Sequence, residues 1–240
     1  MQEQLINAKN AFTRFFIYWT EERSLSVMLL LLVLQIFVLT PASFIGHAFQ
    51  MFSSIFICLM LAAGLITMVK QGLLRWIGTV IVVGVVLFKS ADLFWEVHWL
   101  TVGDTLLTML SLSLLIYIIF LQILREGPVS AHRIRGAIAE YLLIGLLFAF
   151  LYSLIAELTP GAFIIPSSSA GLPGLNAEAF YYFSIVTLTT VGFGDITAIH
   201  PFVRSLVMIE ALIGQLYPTI LIARLVTMEL ETRRSGTGGS

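Results

Sequence analysis

Charge is scarce in this sequence. Asp, Glu, Lys and Arg make up 11% of the 240 residues, about half the share of an ordinary soluble domain. Hydrophobic residues reach 58% and the mean hydropathy is +0.97, which together read as an integral membrane protein. A surplus of basic charge is missing too: the net charge of -1 excludes the footprint of a nucleic-acid binder. Cysteine is nearly absent. Cys58 stands alone in an apolar run, so neither an internal disulfide nor a cysteine metal cluster can form. His47, His98, His132 and His200 are scattered without ligand spacing, which argues against a structural zinc site. No grouping of ionisable residues suggests catalysis, so neither enzyme activity nor an organic cofactor is expected.

Long apolar runs are abundant. Six are long enough to cross a bilayer, which takes about 20 residues each. They lie near Ser24–Thr40, Ala48–Val69, Leu73–Leu93, Thr105–Leu124, Ile134–Glu157 and Phe202–Val226. Pro41 is expected to stop the first, which starts too late and runs too long for a simple signal peptide. The expectation is an all-α membrane protein of six transmembrane helices, with membrane lipids as its surroundings. Lys9, Arg14, Arg23, Lys70, Arg75, Arg125, Arg133, Arg135, Arg224, Arg233 and Arg234 flank the spans on one side. The other side holds only Lys89 and Arg204, among acids such as Asp92, Glu96, Asp104, Glu157, Glu178 and Asp195. Basic loops stay inside, so both termini are expected to be cytoplasmic. Residues 1–23 place Leu5, Phe12, Phe15, Phe16 and Trp19 near helical spacing, which predicts an amphipathic helix on the inner membrane surface. Residues 24–126 form a peripheral four-helix domain, 131–234 a second domain, and 235–240 a flexible tail. No internal repeat is found.

Thr190-Val191-Gly192-Phe193-Gly194-Asp195 carries the most specific signal. A dehydrated cation needs rings of oxygen to replace its water. Backbone carbonyls supply them if successive peptide groups face one way. Gly192 and Gly194 permit such a backbone because they lack Cβ. Val191 and Phe193 then pack behind it, and Thr190 adds a hydroxyl at the inner end. Before this loop, Pro173 and Gly174 break the chain, Asn176 is a candidate N-cap and Glu178 suits a first helical turn. The helix is predicted to end near Thr189, its negative end toward the ion path.

The five residues Thr190 to Gly194 are one hydroxyl away from the Thr-Val-Gly-Tyr-Gly loop of potassium channels. With the aromatic stretch Phe180–Thr190 ahead of them, residues 131–234 resemble the pore domain of the tetrameric P-loop potassium channel superfamily. The six-span layout is similar to that of prokaryotic-type channels with one pore per assembly. The resemblance implies a homotetramer in the inner membrane of a prokaryotic cell. It implies K+ held at Thr190, Val191, Gly192 and Phe193, with Gly194 closing the filter, and Thr189, Asp195 and Glu210 supporting it or its outer mouth. Phe180, Tyr181, Tyr182 and Phe183 would form a cuff around the filter.

Two departures stand out. Phe193 replaces the commoner tyrosine and removes a hydrogen bond. Val186 stands where some members place a glutamate that binds the aspartate after the filter, so Asp195 needs another partner or faces solvent. In the last span Gly214 falls at the family's gating glycine, and Pro218 removes a backbone hydrogen bond. Together they predict a gating bend, with close helix packing as the alternative for Gly214. Gln215 and Thr219 are cavity candidates. Glu210 either hydrogen-bonds behind the filter, to Ser184 or Thr187, or lines the cavity and attracts cations. The fourth span holds no basic residue from Thr105 to Leu124, so the charges of a voltage sensor are absent. Lys89 and Asp92 are expected to pair locally. A regulatory partner is not legible, and too few residues follow the last span to predict a ligand-binding domain there. A weakly selective cation channel of the same fold, or a potassium transporter subunit, are the alternative functions.

Overall fold

The computed structural model describes residues 24–42, 73–94, 98–124, 131–165 and 175–237, with helical residues 49, 52–53, 55–58, 60–61 and 64 between the first two stretches. The expected interfacial helix at 1–23, most of the second span and the breaker Pro173-Gly174 lie outside the described residues.

Helix α1 (Ser24–Leu34) is apolar on every side and buries Leu25, Met28 and Leu32. It passes into a π-helical turn (Gln35–Leu39) and a short α2 (Thr40–Ala42). Pro41 therefore does not stop the helix at Thr40. The wider turn absorbs the proline, and the Thr40 hydroxyl donates to the Gln35 carbonyl at 2.8 Å. Helices α3 (Leu73–Phe94) and α4 (His98–Leu124) pack against each other. The Lys89 ammonium meets Asp104 on α4 at 2.6 Å. Lys89 thus contacts an acid on the facing helix, while the expected pair with Asp92 falls on a side chain outside the described residues. Helix α5 (Ala131–Leu158) is central, touching α1 and α4 on one side and α6 (Leu175–Leu188) on the other. The long α7 (Pro201–Thr237) packs on α5 and α6.

Among the described residues, four helices are long and apolar enough to cross a membrane: Leu25–Ala42, Trp99–Ile123, Arg133–Leu158 and Pro201–Arg224. In α3 the apolar stretch, Gly78–Lys89, is shorter. The chain is an all-α membrane protein, with one small ladder among the described residues. Strand β1 (Phe163–Ile164) pairs antiparallel with β2 (Thr197–Ala198), Phe163 opposite Ala198. This ladder closes the neck of the segment that holds α6 and the Gly-rich loop. Some helix ends move from their expected places. Helix α4 begins at His98 rather than Thr105, and α7 runs to Thr237, through three residues of the predicted flexible tail.

Two buried clusters hold these layers. One joins α1, α4 and α5 through Leu25, Leu32, Leu112, Leu115, Leu143 and Leu146. The other joins α5, α6 and the ladder through Phe148, Tyr152, Phe180, Phe183, Ile196 and Val203.

Candidate functional site

Helix α6 ends at Leu188, and the chain then reverses. Both Val191 and Gly192 donate backbone N–H groups to the Val186 carbonyl, at 3.0 and 3.3 Å, while Thr190 N–H reaches Thr187 at 2.9 Å. The Thr189 hydroxyl bonds back to Ile185 at 2.7 Å. Along the loop the backbone alternates in hand. Thr190 (φ 60°), Gly192 (φ 55°) and Gly194 (φ 79°) are left-handed, and Val191 and Phe193 between them are not. Among the described residues Thr190 is the non-glycine residue with positive φ. For a β-branched side chain that conformation is strained, and such strain persists only where surrounding contacts impose it. Residues 189–195 are exposed in a single chain.

Residues 140–231 match the family model of ion channels. The matched segment takes in most of α5, all of α6, the loop and most of α7. No curated protein and no solved structure matches the chain. The match supports ion-channel activity and places the left-handed, Gly-rich loop inside the ion-channel segment.

Around the loop, the side chains divide between two environments. Phe193 stacks parallel on Tyr182, with ring centroids 6.5 Å apart and planes within 2°. The Asp195 carboxylate lies near the Tyr182 phenol. Phe180 and Phe183 do not join a cuff at the filter in this chain. They turn the other way, Phe180 onto Phe163 at 4.7 Å and Phe183 onto Tyr152 at 5.2 Å. Tyr181 meets Phe150 edge-on at 5.7 Å.

Glu210 is wholly buried between α5, α6 and α7. Tyr152 donates its hydroxyl to Oε2 at 2.6 Å, and Ser184 Oγ lies 2.5 Å from Oε1. The same Ser184 oxygen is 2.7 Å from the Gly145 carbonyl. Thr187 is buried as well, and among the described residues the acid's hydrogen-bond partners are Tyr152 and Ser184. One turn along α7, Gly214 faces α6 so closely that a Cβ would fall 1.8 Å from the Leu188 carbonyl oxygen. That is the close packing left above as the alternative for Gly214. Pro218 lies within a helix that continues past it. Gln215 and Thr219 are exposed, and the Thr219 hydroxyl bonds to the Gln215 carbonyl at 2.9 Å.

Several participants escaped the sequence reading. Tyr141, Gly145, Phe148 and Tyr152 recur at helical spacing on α5, forming the face that receives α6. Tyr141 donates to the Leu188 carbonyl at 2.9 Å. Glu140 is a second buried acid, and Tyr217 of α7 lies 3.0 Å from both its Oε2 and the Ala137 carbonyl. The signal was available: an acid within an apolar span is costly and so informative, and Glu140 meets that test as fully as Glu210.

Proposed function

We propose that this chain is one subunit of a potassium-selective channel, with four copies around a single pore and K+ passing passively along Thr190–Gly194. The observation that carries this reading is the alternation of backbone hand at Thr190, Gly192 and Gly194. In an extended strand successive carbonyls point to opposite sides. Reversing the sign of φ at every second residue turns them toward one side, which makes a column of oxygens suited to a dehydrated cation. One chain supplies one wall of that column, so closed rings need several copies. The face of α7 bearing Leu212, Leu216 and Ile220 is exposed in the single chain, and neighbouring copies would cover it. Gln215 and Thr219 border that face and suit a wet cavity. The burial of Glu210 supports a role behind the filter rather than in the cavity. The six-span layout, cytoplasmic termini and a prokaryotic inner membrane complete the proposal on the grounds of charge pattern and resemblance. No organic cofactor or enzymatic step enters it.

The test is a reversal potential from purified protein in liposomes, with K+ on one side and Na+ on the other. A potential near the K+ equilibrium value is expected. Equal permeability would favour the weakly selective cation channel, a reading that the missing hydroxyl at Phe193 also fits. Absence of electrogenic flux would turn the case toward a transporter subunit.

A further inference from the structure

We propose that Tyr141 is a positioning residue for the inner end of the filter, acting through the Leu188 carbonyl; this rests on the potassium-channel reading above. Leu188 is the last residue of α6, and its carbonyl is one of the helix-end acceptors that the helix itself cannot satisfy. The loop's amides turn elsewhere: Thr189 to Ile185, Thr190 to Thr187, Val191 and Gly192 to Val186. Among the described residues, the donor that reaches the Leu188 oxygen is the Tyr141 hydroxyl, at 2.9 Å and from a helix 47 residues away in sequence. Gly214 backs the same oxygen from α7, leaving it no room to swing toward that helix.

The phenol is itself held. The Tyr141 ring lies against the Tyr217 ring, centroids 5.9 Å apart and planes at 30°. Tyr217 is anchored in turn, its hydroxyl 3.0 Å from the Ala137 carbonyl and from Glu140 Oε2. The peptide plane joining Leu188 to Thr189 is therefore pinned at both ends, by Tyr141 on its oxygen and by Ile185 on its nitrogen. That plane immediately precedes Thr189 and the strained Thr190, where the column of oxygens begins. A sub-ångström change in its tilt carries into the position of the innermost carbonyl and hydroxyl oxygens. Discrimination among cations depends on the size and field of those oxygen groups.

Tyr141→Phe removes the hydroxyl and leaves the ring stacked on Tyr217, so the fold should persist. Two measurements are made on wild-type and variant tetramers in lipid. The first is the Na+ to K+ permeability ratio from bi-ionic reversal potentials. It should rise about threefold or more in the variant, the equivalent of roughly half a net hydrogen bond. The second is the melting temperature in K+ against that in Na+. The stabilisation specific to K+ should shrink, whereas a hydroxyl with a purely structural task would lower both melting temperatures alike. A potassium-selective wild type, with the variant unchanged in ratio and in K+-specific stabilisation, overturns the role of Tyr141 and leaves the channel reading intact. A wild type that does not discriminate K+ from Na+ overturns the potassium-selective reading and this inference with it.

Discussion

At Gly192 and Gly194 a single missing carbon decides which backbone the loop can adopt. At φ 55° and 79° an L side chain is strained whatever space surrounds it, yet a Cβ at either position meets nothing within 4 Å in the chain. Gly192→Ala or Gly194→Ala is therefore expected to act through the backbone, at about 1–2 kcal/mol per left-handed residue. Potassium flux should be abolished while tetramers still assemble. Normal flux in liposomes through either variant would remove the filter assignment. Glu210 offers a different residue-scale test. A serine hydroxyl has one proton to donate, yet Ser184 Oγ is close to both the Gly145 carbonyl and Glu210 Oε1. A carboxamide can donate toward Ser184 while accepting from Tyr152, so Glu210→Gln should keep both contacts and most of the K+ selectivity. Glu210→Val leaves the Tyr152 hydroxyl buried without its acceptor, at about 1–3 kcal/mol per chain. Ser184 retains Gly145. The valine variant should lose tetramer stability and selectivity together. If both variants instead lose conductance equally, and most at low salt where screening is weak, Glu210 serves as a cavity charge and the buried role fails.

The contact between α6 and α7 turns on Gly214. A methyl group there would strike a backbone oxygen, which cannot rotate away as a side chain can. Overpacking usually costs about 1–3 kcal/mol, and a clash with backbone belongs at the upper end. Gly214→Ala should thus reduce conduction and tetramer yield, not merely shift open probability at constant selectivity. Single-channel recording of the variant checks this. A changed open probability with normal yield and selectivity would instead favour the gating bend expected from the sequence. What was legible at this scale follows from what local pattern encodes. Apolar runs reveal where helices lie, because burial in lipid or core selects for them along the chain. They reveal helix ends poorly. Hydropathy reports the apolar stretch, while the helix continues for as long as backbone bonding does, hence α4 reaching back to His98. Pairings across helices are invisible to spacing. The contact of Lys89 with Asp104, at 2.6 Å, exists only once α3 and α4 pack. The backbone form of the loop was legible for the opposite reason: the left-handed conformations at Gly192 and Gly194 follow from residue types that stand side by side in the sequence. Tyr141 and Tyr152 were missed because their tasks exist only once α5, α6 and α7 meet.

For the whole molecule, the peripheral helices lack the means to sense membrane potential steeply. Helix α4 has no lysine or arginine, and the Lys89–Asp104 pair nearly cancels in charge. Each elementary charge moved across the field is worth about 2.3 kcal/mol per 100 mV. Open probability should therefore vary only weakly with voltage. Macroscopic currents between symmetric solutions test this, and steep activation without a blocker would show that gating charge moves in these helices. The small ladder between β1 and β2 has a different kind of consequence. Phe163 and Ala198 bring the two ends of the pore segment together, and Ala162 also accepts the Ile199 amide at 2.9 Å. The segment is thus a loop fastened at its own base by contacts made within one chain. Its shape need not wait for neighbours, so assembly of the proposed tetramer would be the docking of ready-made quarters. The slow, concentration-dependent step would then be separated from the step that folds the scaffold of the proposed filter. Protected Ile199 amides in monomers, before any pore exists, would be the trace of that order of events.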